Sequence, residues 1–148
     1  MTSATTPKTV VLGGVCHQRE AVASATITPG MLVAVAAGDL IAAHGTADQQ
    51  AQSAWALEYA LTGRGIDDDY LAGDQVIYGI AEEGSEIYAL LASGQNVADR
   101  AKLTSAGNGR LKAASTDDFV VAEAREAVDA SGGAARIRVE ISRGRSNP

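Results

Sequence analysis

The stretch VIYGIAEEGSEIYALL, residues 76–91, decides the class of fold. Its two apolar runs are rich in Val, Ile, Tyr and Leu, residue types that suit a pleated, half-buried surface. Between them lies AEEGS, residues 81–85, a polar segment with a glycine that interrupts both patterns. Each run is too short for an ordinary helix, so the spacing predicts two strands joined as a hairpin.

Working outward, the same grammar recurs. Leu103 to Ser105 and Leu111 to Ala113 flank Gly107-Asn108-Gly109, which predicts a second hairpin with Asn-Gly supplying the left-handed positions of a type I′ turn. Near the C-terminal end, Ile137, Val139 and Ile141 alternate with Arg136, Arg138 and Glu140. That is a strand with one apolar and one charged face. Residues 119–129, FVVAEAREAVD, fit both a helical stripe and a strand. Upstream, Pro29-Gly30 opens a run from Met31 to Val35, and Gly38-Asp39 separates it from Leu40 to Ala42. Two short strands with a tight connection fit this best. Residues 45–54 read as a surface loop or a single helical turn, and Gly63 to Gly73 as a long acidic loop. Trp55, Leu57 and Tyr59 alternate with Ala56, Glu58 and Ala60, a strand period, although residues 47–61 also have fair helical propensity. Short runs at roughly ten-residue spacing with glycine-rich turns predict a single mainly β domain, a small sandwich or barrel of antiparallel strands. No repeat and no internal linker marks a second domain. The expected boundaries are a flexible arm over 1–15, a folded module over 16–142 and a short tail over 143–148.

Composition narrows the function classes. The chain has 148 residues, of which 46% are hydrophobic, with only one Phe, one Trp and four Tyr. Such a core is built from small side chains, and self-association would add buried surface. The net charge of −6 argues against a nucleic-acid partner, which requires a basic face. The basic cluster Arg136, Arg138, Arg143 and Arg145 reads as solvated charge on an edge strand or as a contact with an acidic protein surface. No run of 18 apolar residues is present, so no membrane span is expected, and the polar N-terminal residues predict no leader peptide.

The residues available for chemistry do not converge. His17 and His44 stand in no metal-ligand spacing. Cys16 adjoins His17, but neighbours on a strand point to opposite faces, so a small buried thiol is the expectation for Cys16. Asp67, Asp68, Asp69 and Asp74 lack the spacing of a calcium loop and read as a hydrated turn. Glu82, Glu83 and Glu86 surround a turn where carboxylates are solvated. Gly63-Arg64-Gly65 lacks the residues of a phosphate cradle. The expectation is a non-enzymatic protein with no cofactor and no metal.

Five segments in order, ITPGMLVAV (27–35), ALEYALTGRGIDDDYLAGDQV (56–76), GSEIYALLASGQNV (84–97), LTSAGNGRLKAA (103–114) and AREAVDASGGAARIRVEI (124–141), resemble the capsid cement (decoration) proteins of tailed bacteriophages. The resemblance implies a β-tulip or β-barrel module on the outer surface of the virion head, stabilising the lattice against internal DNA pressure. It also implies the major capsid protein as partner, a homotrimer with a dimer as the competing state, and a strand over 119–129. The alternative is a β-rich attachment module of tail or fibre type that binds carbohydrate or calcium. A polar leader, an apolar trio and the Gly13-Gly14 hinge suggest that Val10, Val11 and Leu12 add to an edge strand of the coat protein, with Arg143 and Arg145 as further capsid contacts.

Overall fold

The computed structural model describes residues 7–145, with side chains through 144. Thirteen strands carry the described chain: β1 (Val11–Gly13), β2 (Cys16–Ala23), β3 (Val33–Ala36), β4 (Leu40–Ala43), β5 (Ala54–Ala56), β6 (Gln75–Ala81), β7 (Glu86–Leu91), β8 (Asn96–Val97), β9 (Lys102–Ser105), β10 (Leu111–Ala113), β11 (Phe119–Ala124), β12 (Val128–Asp129) and β13 (Ala135–Arg145). A single 3-10 turn at Ala60–Thr62 is the helical element among the described residues. The mainly β fold expected from the sequence is the fold observed.

Five strands close a barrel in the order β7-β10-β9-β11-β13, with β13 returning to pair with β7. All its contacts are antiparallel except a short parallel bridge between Leu111 and Leu91. The interior follows the strand period. Ile87, Ala89 and Leu91 of β7 face Ile137, Val139 and Ile141 of β13, with Leu103, Leu111, Ala122 and Ala124 completing the ring, all essentially buried. Five strands enclose a narrow lumen, and the alanines at 89, 122 and 124 fit it without crowding. A second sheet, in the order β3-β4-β2-β6-β5, curls until Leu32 bridges to Trp55 and brings its two ends together. β8 and β12 form a small separate ribbon.

The run 76–91 is two strands, but not a hairpin. β6 pairs with β2 and β5 in the second sheet, whereas β7 pairs with β1, β10 and β13 in the barrel. The AEEGS segment is a crossing between sheets. Its anchor is Ser85, whose hydroxyl donates to the Val15 carbonyl (2.9 Å) and accepts from the Val15 N–H (3.0 Å). The Ser85 N–H donates to the Glu82 carbonyl, and the Ser85 carbonyl accepts the Ile141 N–H. Gly14 lies against Ser85 with φ +88°, and a Cβ there would fall 2.5 Å from the serine oxygen, so only glycine fits the approach. β6 shows why the sequence misled: Val76 and Tyr78 enter one core while Ile77 and Ala81 enter the other. A strand buried on both faces reads as a continuous apolar run with no hint of its neighbours.

Three further expectations are corrected or refined. Residues 103–113 do form a hairpin, with Leu111 opposite Ser105, but the positive φ values fall on Gly107 and Gly109, and the five-residue loop is not a type I′ turn. The loop instead docks on the second sheet, where Gly109 N–H donates to His44 O and Leu32 N–H donates to Gly109 O. β13 is not an edge strand, since it pairs with both β11 and β7. Finally, the segment expected to be a free arm is internal from Val10 onward. Val10 is fully buried, its carbonyl accepts the Tyr88 N–H (2.7 Å), and Val11 and Gly13 pair with Ile87 and Glu86. The missing partner of that apolar trio was β7, which is far away in sequence. Residues 1–6 of the expected arm, and 146–148 of the expected tail, lie outside the described residues. Residues 119–129 are strand β11, a turn and β12, as the resemblance implied, and Trp55 is on a strand.

Two predictions follow from this packing. Val10→Ala leaves a gap in the core and lowers stability by about 2 kcal/mol, a fall of several degrees in Tm that calorimetry checks. Tyr70 is almost fully buried and donates to the Leu57 carbonyl at 2.6 Å. Burial, reinforced by the nearby Glu58 carboxylate, pushes its phenol up to about 12. Its contribution is therefore complete below the unfolded value near 10 and is lost as pH rises through about 12. Tyr70→Phe costs about 1–3 kcal/mol at neutral pH by stranding that carbonyl, and its deficit relative to wild type shrinks above pH 10 in urea titrations.

Candidate docking surface

The residues singled out from the sequence do not converge on one surface. Val10, Val11 and Leu12 are committed to the barrel, so Val10 is not available to an external strand. Arg143 donates to the Ala51 carbonyl (2.8 Å), its backbone N–H meets the Glu83 carboxylate (3.2 Å), and its guanidinium lies 5.7 Å over the Phe119 ring. That arginine bonds the barrel to the loop before β5. Arg145 is the last residue of β13, with its backbone opposite Phe119; its side chain lies outside the described residues.

The groups tested for chemistry are likewise dispersed. Cys16 packs toward Gly79, where a Cβ would sit 2.2 Å from its sulfur, and partial burial raises its thiol above the usual value. His17 faces the other way and meets Glu82 in solvent at 2.6 Å. His44 is buried, with Nδ1 2.7 Å from the Ser105 hydroxyl and Nε2 3.3 Å from the Gln50 carbonyl. It braces the loop before β5 against the barrel hairpin. In the acidic loop, Asp68 accepts the Gly65 N–H (2.7 Å), and Asp74 accepts the Leu71 N–H (2.8 Å) and lies 3.5 Å from Arg64. These carboxylates cap their own turns. On the surface, the Ser131 hydroxyl and N–H hold the Asp129 carboxyl below its ordinary value. No group of three or more His, Cys, Asp or Glu that could hold a metal occurs among the described residues.

What remains outward is an edge and a few aliphatics. β4 reaches β2 only at Val22 and Ala23, so among the described residues the outer edge of β2 from Cys16 to Ala21 has no strand partner. His17, Gln18, Arg19 and Glu20 are exposed along it, a mixed-charge pattern that discourages indiscriminate edge-to-edge pairing. Val22 and its register partner Leu40 are both exposed at the end of that edge. Leu71 is exposed in the turn whose Gly73 N–H bonds back to Ala23, and Leu61 projects from the 3-10 turn. Chain adjacency conveys nothing about this grouping. Leu40, Val22 and Leu71 come near one end of the second sheet only through β2–β4 pairing and the Ala23 bond.

No protein-family model matches the chain, and no curated protein matches its sequence. Among solved structures, it is similar to the N base of the head fibre protein gp8.5 of bacteriophage phi29, with a TM-score of 0.62 at 14% identity over 90% of this chain and all of that one. At this identity the likeness is one of fold, and it extends over the whole of the phage module.

Proposed function

We propose that the protein is a structural virion protein of a tailed bacteriophage, seated on the outside of the head. The observation that carries this reading is the likeness in fold to the complete N base of a phage head fibre protein. The ordered segments that resemble capsid cement proteins point the same way from the sequence side. In this reading the protein performs no catalysis. Its partner is the major capsid protein, and it docks as a homotrimer whose repeated weak contacts add over a symmetric lattice. The unpartnered edge of β2 and the exposed Val22, Leu40 and Leu71 are the surfaces such docking would cover. Stabilisation of the head against DNA pressure is the role proposed for it.

A second reading is favoured by one specific observation: the similar structure is the base of a fibre rather than a free-standing cement module. The same domain would then anchor or form part of an attachment appendage.

Removing the gene from the phage separates the two. Under the first reading, purified wild-type particles contain the protein in many copies, and heads lacking it release DNA at lower temperature while adsorbing to cells normally. Under the second, heads lacking it keep their heat resistance and adsorb poorly. Absence of the protein from purified particles refutes both. On the heads, density away from every three-fold or quasi-three-fold axis in cryo-microscopy refutes the trimer.

A further inference from the structure

The open edge of β2 has a defined hydrogen-bonding pattern. At the two ends of β6, the Val15 carbonyl accepts the Glu82 N–H and the Ala23 N–H donates to the Asp74 carbonyl. The Val22 N–H points the other way and donates to the Asp39 carbonyl (2.9 Å). Residues Cys16 to Val22 pair with β6 without a break. The two-residue period of the strand therefore sends the main-chain groups of His17, Arg19 and Ala21 to β6. It turns the N–H and C=O of Cys16, Gln18 and Glu20 outward. β4 occupies that side only at Val22 and Ala23, and the turn through Gly38 and Asp39 ends it there. A slot the length of one short strand is left beside residues 16–20.

The side chains along the slot narrow what can enter it. His17 lies 2.6 Å from Glu82, and Glu20 accepts from the Gln75 side chain at 2.7 Å, so both already have partners. Arg19 is exposed and has neither a hydrogen bond nor an ion pair among the described residues. Because its own main-chain groups face β6, Arg19 would meet an antiparallel newcomer at a non-hydrogen-bonded position, where facing side chains are closest. An acid there forms a favourable cross-strand pair, and a base is repelled. The β2 edge of a second copy does not meet this condition. Two-fold pairing sets odd residues against odd ones, and across from Arg19 would stand His17, Arg19 or Ala21, none of them acidic. We infer that the slot takes in an extended strand of the coat protein with a carboxylate across from Arg19. An aliphatic residue at the end of that strand would cover the exposed Val22 and Leu40.

This inference rests on docking to the head, and the test tells the two apart. Protein is added to heads purified from phage lacking its gene, and co-sedimentation gives the affinity. Gln18→Pro removes an outward N–H and no bond to β6, so it melts near wild type while head affinity falls at least about tenfold. Gln18→Ala, which keeps the N–H, binds as wild type does. Arg19→Glu loses at least about tenfold, and Arg19→Lys falls between it and wild type. Hydrogen exchange needs no substitution, should proline disturb the fold. The amides of Cys16, Gln18 and Glu20 exchange freely in the free protein and slow at least about tenfold on heads. Failure of the wild-type protein to bind heads overturns head docking and this inference with it. Wild-type binding, with Gln18→Pro binding equally or with those amides unslowed, overturns the inference alone. Equal binding by Arg19→Glu overturns the acidic partner. Slowing of the same amides in the free protein as its concentration rises names a second copy as the occupant and likewise overturns it.

Discussion

The pairing of β13 on both of its edges is the constraint on which the rest of the structure depends. Along one side its residues 135–140 pair with Leu91 to Glu86, and along the other 139–145 pair with Ala124 to Phe119. Without it β7 and β11 would be the free ends of an open sheet. Closure satisfies those main-chain groups and shuts an interior of Ile, Leu, Val and Ala away from water. The chain achieves closure with few aromatics because a five-stranded lumen has little room for them, which gives the alanine-rich composition a geometric cause.

The second sheet is tied to the barrel by packing on both faces of single strands rather than by a linker. β5 sends Trp55 to the barrel core and Ala54 and Ala56 to the other core, and β6 divides its side chains in the same way. Polar ties reinforce the junction at Ser85, His44 and Arg136, each joining segments more than 60 residues apart. Packing of this kind resists relative motion of the two sheets. Among the described residues the surface carries a charged edge on β2 and scattered exposed aliphatics.

Much was legible in the residues themselves. The alternation of Ile137, Val139 and Ile141 correctly marked a strand with one buried face, and turn residues correctly separated β3 from β4 and β9 from β10. The opposite orientation of Cys16 and His17 was readable too, since it follows from the two-residue period of a strand. These properties are local. They depend on residues within a few positions of one another, and sequence order preserves that information.

Partner choice between strands is not local, and only the tertiary structure decided it. The sequence places β6 and β7 five residues apart, yet they belong to different sheets. It places Val10 to Leu12 some 75 residues from Ile87 and Tyr88, and so they looked unpartnered although they seal the barrel. Arg143 looked like a surface contact until the loop carrying Ala51 folded beneath it. The groove lined by Arg110 and Arg136 joins residues from five separated segments, and no spacing along the chain foretells it. The residues determined which segments become strands and which faces turn inward, because backbone stereochemistry and side-chain polarity act at short range. Which strand lies beside which, and which charges remain unmet, was decided by barrel closure, because pairing minimises free energy over the whole chain at once.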